Sequence, residues 1–357
     1  MTTPRLPVST TRSSSPLARR DFLRLSGTAA ALAFGAPFVR AADKSGSRAP
    51  VLGSGEHAYE ALHDWGDLPE GMVLGNTHGV AVDAQGRIYV KHTVHKTSRL
   101  PEALLVFDPD GKFITAWGAE FRGGAHGLHL AREGGREFFY LCDVNRKKVV
   151  KTTLEGVVVW ERGCPDDTGG YKKPEEYTPT NVATAPDGTV FVTDGYGRYY
   201  IHAYRPDGTY LRTFGGAGKN AGHMMTPHGI FVDMRGPEPL LVVADRSNRR
   251  LQYFTLAGVH VKFVTDELRA PCHFDTRGSV LLVPDLESRI TLFDAENRLI
   301  THLGDGGHYK GIREGPRSGF TPGKFVAPHA ATFDAAGNIF VVEWVEVGRI
   351  TKLRKLA

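Results

Sequence analysis

The sequence predicts an all-β fold, a six-bladed β-propeller, and three observations carry that prediction. One opening recurs six times: Asn76-Thr77-His78-Gly79, Gly124-Ala125-His126-Gly127, Thr178-Pro179-Thr180-Asn181, Thr226-Pro227-His228-Gly229, Ala270-Pro271-Cys272-His273 and Ala327-Pro328-His329-Ala330. The aligned positions 78, 126, 180, 228, 272 and 329 lie 44 to 57 residues apart, a spacing that suits a radial array of repeated units. Short β-branched and aromatic runs separated by Gly, Asp, Asn and Pro turns fill each unit, and no sustained helical period follows residue 42. A four-stranded sheet with two apolar faces has to be covered on both, and packing blades around an axis achieves that.

The chain opens with a segment that does not belong to this pattern. Ala18-Arg19-Arg20-Asp21-Phe22-Leu23-Arg24 is a twin-arginine motif, followed by a small-residue apolar run from Leu25 to Val39 and a cleavage-like Val39-Arg40-Ala41. The run is broken by Gly27, Gly35 and Pro37 and is too short to span a bilayer, so the mature chain is expected to hold no transmembrane segment. Residues 1–41 therefore read as a twin-arginine signal peptide, and the expected destination is the periplasm or the exterior, reached folded through the Tat export machinery. Six of the 44 basic residues and one of the 39 acidic ones fall in this leader, which leaves 38 of each. No basic excess remains to argue for nucleic acid. Cys142, Cys164 and Cys272 are an odd, sparse set, so the fold does not depend on disulfides.

Residues 42–56, rich in Ser, Gly, Pro and Lys, read as a linker, and 57–357 as the propeller. In each unit the opening leads into an apolar strand, a turn such as Asp83-Ala84-Gln85-Gly86, and a second strand such as Val190 to Thr193 or Leu241 to Ala244. A polar corner follows, as in Asp245-Arg246-Ser247-Asn248-Arg249. The third strand comes next, and then a fourth ending in Trp117-Gly118, Phe214-Gly215 or Leu303-Gly304. The last unit supplies only three strands. Residues 58–66 repeat a Trp-Gly ending at Trp65-Gly66, so this N-terminal strand is expected to complete the final blade and remove an exposed edge.

His126, His228 and His329 fall on the second, fourth and sixth units, 102 and 101 residues apart. Alternate blades of six stand about 120° apart, so three imidazoles can converge on one point of the axis. Three neutral imidazoles leave a fourth position open for water or substrate, as in a catalytic zinc site. His78, opposite His228, reads as a fourth ligand, a partner behind the ligands or a substrate contact at the mouth. His78 with Cys272 forms an alternative metal pair. The competing reading is that His-Gly caps each opening through backbone hydrogen bonds.

The corners and openings resemble NHL repeats over most of residues 57–357. The stretch from Pro179-Thr180-Asn181-Val182 through Thr193-Asp194-Gly195-Tyr196, Thr226-Pro227-His228 and Val243-Ala244-Asp245-Arg246-Ser247-Asn248-Arg249-Arg250 further resembles the peptidyl-α-hydroxyglycine α-amidating lyases, which are six-bladed propellers. That resemblance implies zinc on His126, His228 and His329, Tyr196 as the base or the group that positions the proton, and Arg246 as a substrate contact suited to a carboxylate. A nearby zinc or Arg is expected to lower the phenol's pKa. Where the lyases carry a further substrate arginine, this chain has His92, within Lys91-His92-Thr93-Val94-His95-Lys96. Where they carry an acidic calcium contact it has Ala330, and where they carry a disulfide cysteine it has Gly197. Calcium is accordingly not expected, and a calcium lactonase is disfavoured because the six axial positions offer no carboxylate or amide oxygen. The functional expectation is an exported zinc-dependent propeller lyase that cleaves a C–N bond at a hydroxylated carbon of a small or peptide substrate in the channel. The alternative is a non-enzymatic NHL binding scaffold of the cell envelope.

Overall fold

The computed structural model describes residues 49–165, 170–307 and 311–356, and their strands form six antiparallel sheets. The all-β, six-bladed propeller expected from the repeats is the fold. The first strand of each unit, Thr77–Val82, Ala125–Glu133, Asn181–Thr184, Pro227–Asp233, Asp275–Arg277 and Pro328–Phe333, lines the axis. The chain then steps outward strand by strand. Second strands such as Leu240–Asp245 and Val280–Asp285 are almost wholly buried, because neighbouring blades cover both of their faces. This is why they read as unbroken apolar runs, whereas outermost strands such as Phe113–Trp117 and His260–Val264 are partly exposed. The core is accordingly divided into seams between consecutive blades. Tyr89, Leu104 and Val106 of the first meet Leu128, Phe139 and Leu141 of the second, and Val80, Val90 and Leu105 meet Phe340, Val342 and Ile350 of the last.

Ring closure follows the expected plan with one addition. Tyr59–His63 pairs antiparallel with Arg349–Lys355, placing Tyr59 opposite Lys355 and His63 opposite Thr351. Outside it, Val51–Leu52 adds a fifth strand, with Val51 opposite Glu60 and Leu52 opposite Tyr59. Residues 49–56 are therefore not linker, as their composition suggested, but partly sheet. A two-residue strand is too short to show alternation. The leader, residues 1–41, lies outside the described residues. No helix among the described residues is long and apolar enough to cross a membrane.

Trp65 secures the closure. It is 5% exposed, and its ring meets Phe107 of the first blade and Phe340 of the last at centroid distances of 5.7 and 4.8 Å. Its backbone N–H donates to the Ile350 carbonyl, and Gly66 beyond it turns at φ 99°, a left-handed conformation that favours glycine. Trp65→Ala is expected to cost about 3 kcal/mol of stability, read as a lower urea midpoint, because it empties the seam between the first and last blades.

A second device repeats at the corners. In four blades the acid at the end of the second strand accepts backbone N–H groups from the loop that enters the same blade: Asp194 from Thr178 at 2.6 Å, Asp245 from Met225 at 2.7 Å, Asp285 from Arg269 and Ala270 at 2.7 and 2.8 Å, and Glu343 from Val326 at 2.7 Å, whereas Asp143 of the second blade accepts from Asn145 and Arg146 of its own corner. Each of the four pins the entry loop immediately before the axial residue. In the first blade the position is held by His92.

Candidate functional site

The axial histidines are aimed by their own backbone. Nδ1 of His126 donates to the Thr180 carbonyl at 2.8 Å, Nδ1 of His228 to that of Cys272 at 2.9 Å, and Nδ1 of His329 to that of His78 at 2.9 Å. Each acceptor is the axial residue of the next blade. A Cβ at Gly127 or Gly229 would lie 2.4 Å from the same Thr180 or Cys272 oxygen, so the glycine after the histidine is what lets the ring reach it. With Nδ1 carrying the proton, Nε2 presents a lone pair, the arrangement in which a carbonyl behind an imidazole orients it as a ligand.

Four imidazoles share the axis. Ring centroids are separated by 4.7 Å for His78 and His126, 4.4 Å for His78 and His329, 5.0 Å for His126 and His329, 4.9 Å for His126 and His228, and 4.6 Å for His228 and His329. All four are buried. Burial pushes His126 down to about 3 and the other three well below the usual imidazole range, assisted at His78 and His329 by neighbouring histidines and at His228 by Arg246. A neutral imidazole is the form a metal requires. Candidate ligand atoms of His78, His126 and His329 lie within 4.8 Å of one another, and Nδ1 of His78 is 3.2 Å from Nε2 of His329. His228 belongs to the same cluster of rings but not to that group of ligand atoms. His126 and His329 are thus common to the expected triad and to the triad drawn together here.

Tyr196 stands over this cluster, its hydroxyl 3.2 Å from Nε2 of His126 and 3.1 Å from Nε2 of His228. Gly195 permits the approach, since a Cβ there would sit 2.2 Å from the Pro227 carbonyl oxygen. The ring is 42% exposed, yet the hydroxyl end is desolvated, and that raises its pKa despite the opposing effect of Arg246. Arg246 acts in the expected direction on the phenol, but desolvation outweighs one guanidinium. Arg246 Nη2 lies 3.4 Å from the Tyr196 hydroxyl. Asp245 pairs not with its neighbour Arg246 but with Arg250 at 2.7 Å, so among the described residues Arg246 has no carboxylate partner. Cys272 shares the Arg246 side and is pushed up to about 11 by burial, which keeps the thiol protonated. The His78 and Cys272 pairing is not assembled: His78 turns to His126 and His329, Cys272 to Arg246.

His92 departs from its expected role as a substrate contact. Its fully buried ring accepts the N–H groups of Gly75 and Val94 through Nδ1, both at 3.1 Å, and so does the work of the corner carboxylates. Its neighbours do not supply the missing positive charge either. Lys91 is buried, donates to the Gly127 and Cys142 carbonyls at 3.1 and 2.8 Å, and is pushed down to about 7 by desolvation. Lys96 and His95 both face Glu346. Aligning the ends of the second strands (92, 143, 194, 245, 285 and 343) is the signal that would have assigned His92 correctly. At Gly197 a Cβ would fall 2.0 Å from Asp194 Oδ1, so the lyases' cysteine has no room here. Cys142 and Cys272 are unbridged thiols.

No family model matches the chain. Among curated proteins it is similar to NHL repeat-containing protein 3 of Homo sapiens, 26% identical over 245 residues that span 65% of this chain and 68% of that protein. It is 27% identical over 233 residues to the peptidyl-glycine alpha-amidating monooxygenase of Mus musculus, spanning 57% of this chain but only 23% of that protein. A Caenorhabditis elegans protein named "Probable peptidyl-alpha-hydroxyglycine alpha-amidating lyase" is 26% identical over 199 residues, 50% of this chain and 53% of that one. Among solved structures, a streptogramin B lyase superposes with a TM-score of 0.56 at 13% identity, covering 83% of this chain and 98% of the other, a likeness of fold alone. The chain is a distant relative of NHL-repeat and peptidylglycine-amidating proteins, built on a six-bladed propeller.

Proposed function

We propose that the protein is a zinc-dependent carbon–nitrogen lyase acting on a carboxylate-bearing carbinolamide, and that it works outside the cytoplasm after export through the twin-arginine leader. The observation that carries this reading is a phenol and a guanidinium without an acid partner, standing over four neutral imidazoles at the mouth of the channel. The donor set fits zinc, because the Nδ1 hydrogen bonds turn Nε2 of His126, His228 and His329 toward the axis, where an ion would take the place of their contacts with Tyr196 and His78. Bound there, zinc supplies Lewis acidity toward a substrate hydroxyl. Arg246 holds the carboxylate through its planar fork, and burial beside Tyr196 strengthens that contact. Tyr196 Oη moves the proton from the substrate hydroxyl to the departing amide nitrogen. The C–N bond breaks as the C–O bond becomes a carbonyl, giving an amide and an aldehyde acid with no other reactant consumed.

The test is turnover of α-hydroxyglycine amides by the zinc-loaded protein, followed as glyoxylate release. Tyr196→Phe is expected to lower kcat by roughly a hundredfold or more with little change in KM. Arg246→Ala should raise KM about tenfold or more, since it removes a hydrogen-bonded charge from the carboxylate. Release of glyoxylate that neither substitution alters would overturn the assignment of these roles.

A further inference from the structure

The other end of the channel carries a second site. Along the inner strands Val80, Leu128, Val182 and Ile230 each follow an axial residue by two positions. They form the floor of a cavity of about 690 Å³ that opens on the face away from Tyr196 and Arg246. Phe274 and Phe333 add apolar wall. A cavity of this size, with an apolar floor and a rim of polar side chains, has the dimensions of a small-molecule site.

Two of its polar groups, His273 and Asp275, come from the blade that departs most from the repeat. The fifth inner strand, Asp275–Arg277, is the shortest, and where other blades place Gly79, Gly127 or Gly229 it has His273. Nδ1 of His273 is buried with no hydrogen-bond partner, while the ring bonds the Ala331 backbone. His129 lies nearby on the second blade, its Nε2 2.9 Å from the Thr184 hydroxyl. Asp275 accepts from Thr276 N–H at 2.8 Å, the Thr332 hydroxyl at 2.8 Å and Phe333 N–H at 2.7 Å, all of them uncharged donors. The other charged groups on the cavity wall are committed elsewhere or point away. Asp83 is paired with Arg87 and Arg132 with Glu137, Asp334 accepts from Asn338, and the Arg277 guanidinium lies against Gly337. Among the described residues no cation faces Asp275.

We propose that this cavity binds an organic amine with an apolar body, its ammonium on Asp275 and His273 and its hydrocarbon part against Val80, Leu128 and Phe333. A carboxylate supplied with hydrogen bonds but lacking a counter-charge is completed by a cation. The unpartnered Nδ1 of His273 accepts one of the ammonium's remaining protons, and the apolar floor rewards a hydrophobic tail. The site does not depend on the chemistry proposed for the opposite mouth.

Phenethylamine, with 2-phenylethanol as its uncharged counterpart, tests this by calorimetric titration of the full chain. The amine is expected to bind at one site at least about tenfold more tightly than the alcohol, and Asp275→Asn, whose one remaining oxygen can still accept from Thr332 and Phe333, should erase that difference. Should Asp275→Asn fail to fold, Val82→Trp fills the cavity from a half-exposed position and is expected to weaken both ligands. Arg246→Ala, confined to the other mouth, should leave both affinities unchanged. Equal affinities for amine and alcohol, an amine affinity untouched by Asp275→Asn or Val82→Trp, or one lost in Arg246→Ala would overturn the proposal.

Discussion

His126→Ala is expected to yield a folded protein that no longer retains zinc, where the wild type retains one ion per chain after dialysis, and glyoxylate release should fall roughly a thousandfold with it. His329→Ala should behave in the same way, because both histidines belong to either triad the site can form. The other two substitutions separate those triads. If the open site on alternate blades is the functional one, His228→Ala loses the metal and His78→Ala keeps it. If His78, His126 and His329 hold the ion, the pattern reverses and His228 serves Tyr196. Elemental analysis of the four variants beside circular dichroism reads this directly. Zinc retained at full stoichiometry by both His126→Ala and His329→Ala would remove the centre altogether.

Stability should fall steeply with acid. Five histidines outside the candidate centre are held neutral by burial: His63, His92, His129 and His273 are pushed down to about 4, and His202 to about 3. Each is an imidazole whose folded pKa is depressed below its unfolded value near 6.5. Below that value the unfolded chain takes up a proton that the folded chain refuses, so stability is lost as pH falls and is insensitive to these groups above about 7. Each contributes up to roughly 1.4 kcal/mol per pH unit in that window. Asp194, pushed up to about 6 by burial, acts in the opposite sense and offsets about one histidine between pH 6 and 4. Urea unfolding of the metal-free protein should therefore show a loss of at least about 4 kcal/mol between pH 7.5 and 5.5. A midpoint that does not move would mean the rings are charged or solvated in the folded state.

What could be read in advance divides along physical lines. The blade count, the closing strand at Trp65 and the convergence of the histidines all follow from periodicity, because a repeat fixes where its equivalents stand around an axis. Val51–Leu52 carries no such signal, being too short for alternation. His92 aligns with the lyases' substrate arginine, but within this chain it is equivalent to Asp194 and Asp245, and its hydrogen bonds follow the internal equivalence. The reach of His78 toward His329 depends on side-chain rotamers, which no spacing specifies. The amine cavity was likewise invisible, since it arises where one blade shortens and His273 takes a glycine's place.

The alternation of His126, His228 and His329 has a consequence for how such a chain can change through duplication. Threefold convergence from every second copy exists only when the copies number six. A seventh blade would move alternate histidines from about 120° to roughly 103° apart and widen the channel between them. Gain or loss of a single repeat, tolerated in open solenoids, would dismantle the centre even if every histidine survived. The joint between Tyr59–His63 and Arg349–Lys355 opposes such a change as well, because an early and a late strand must meet in one sheet. Under the proposed function, copy number is therefore part of the chemistry, and sequence drift within blades is the route left open to new substrates.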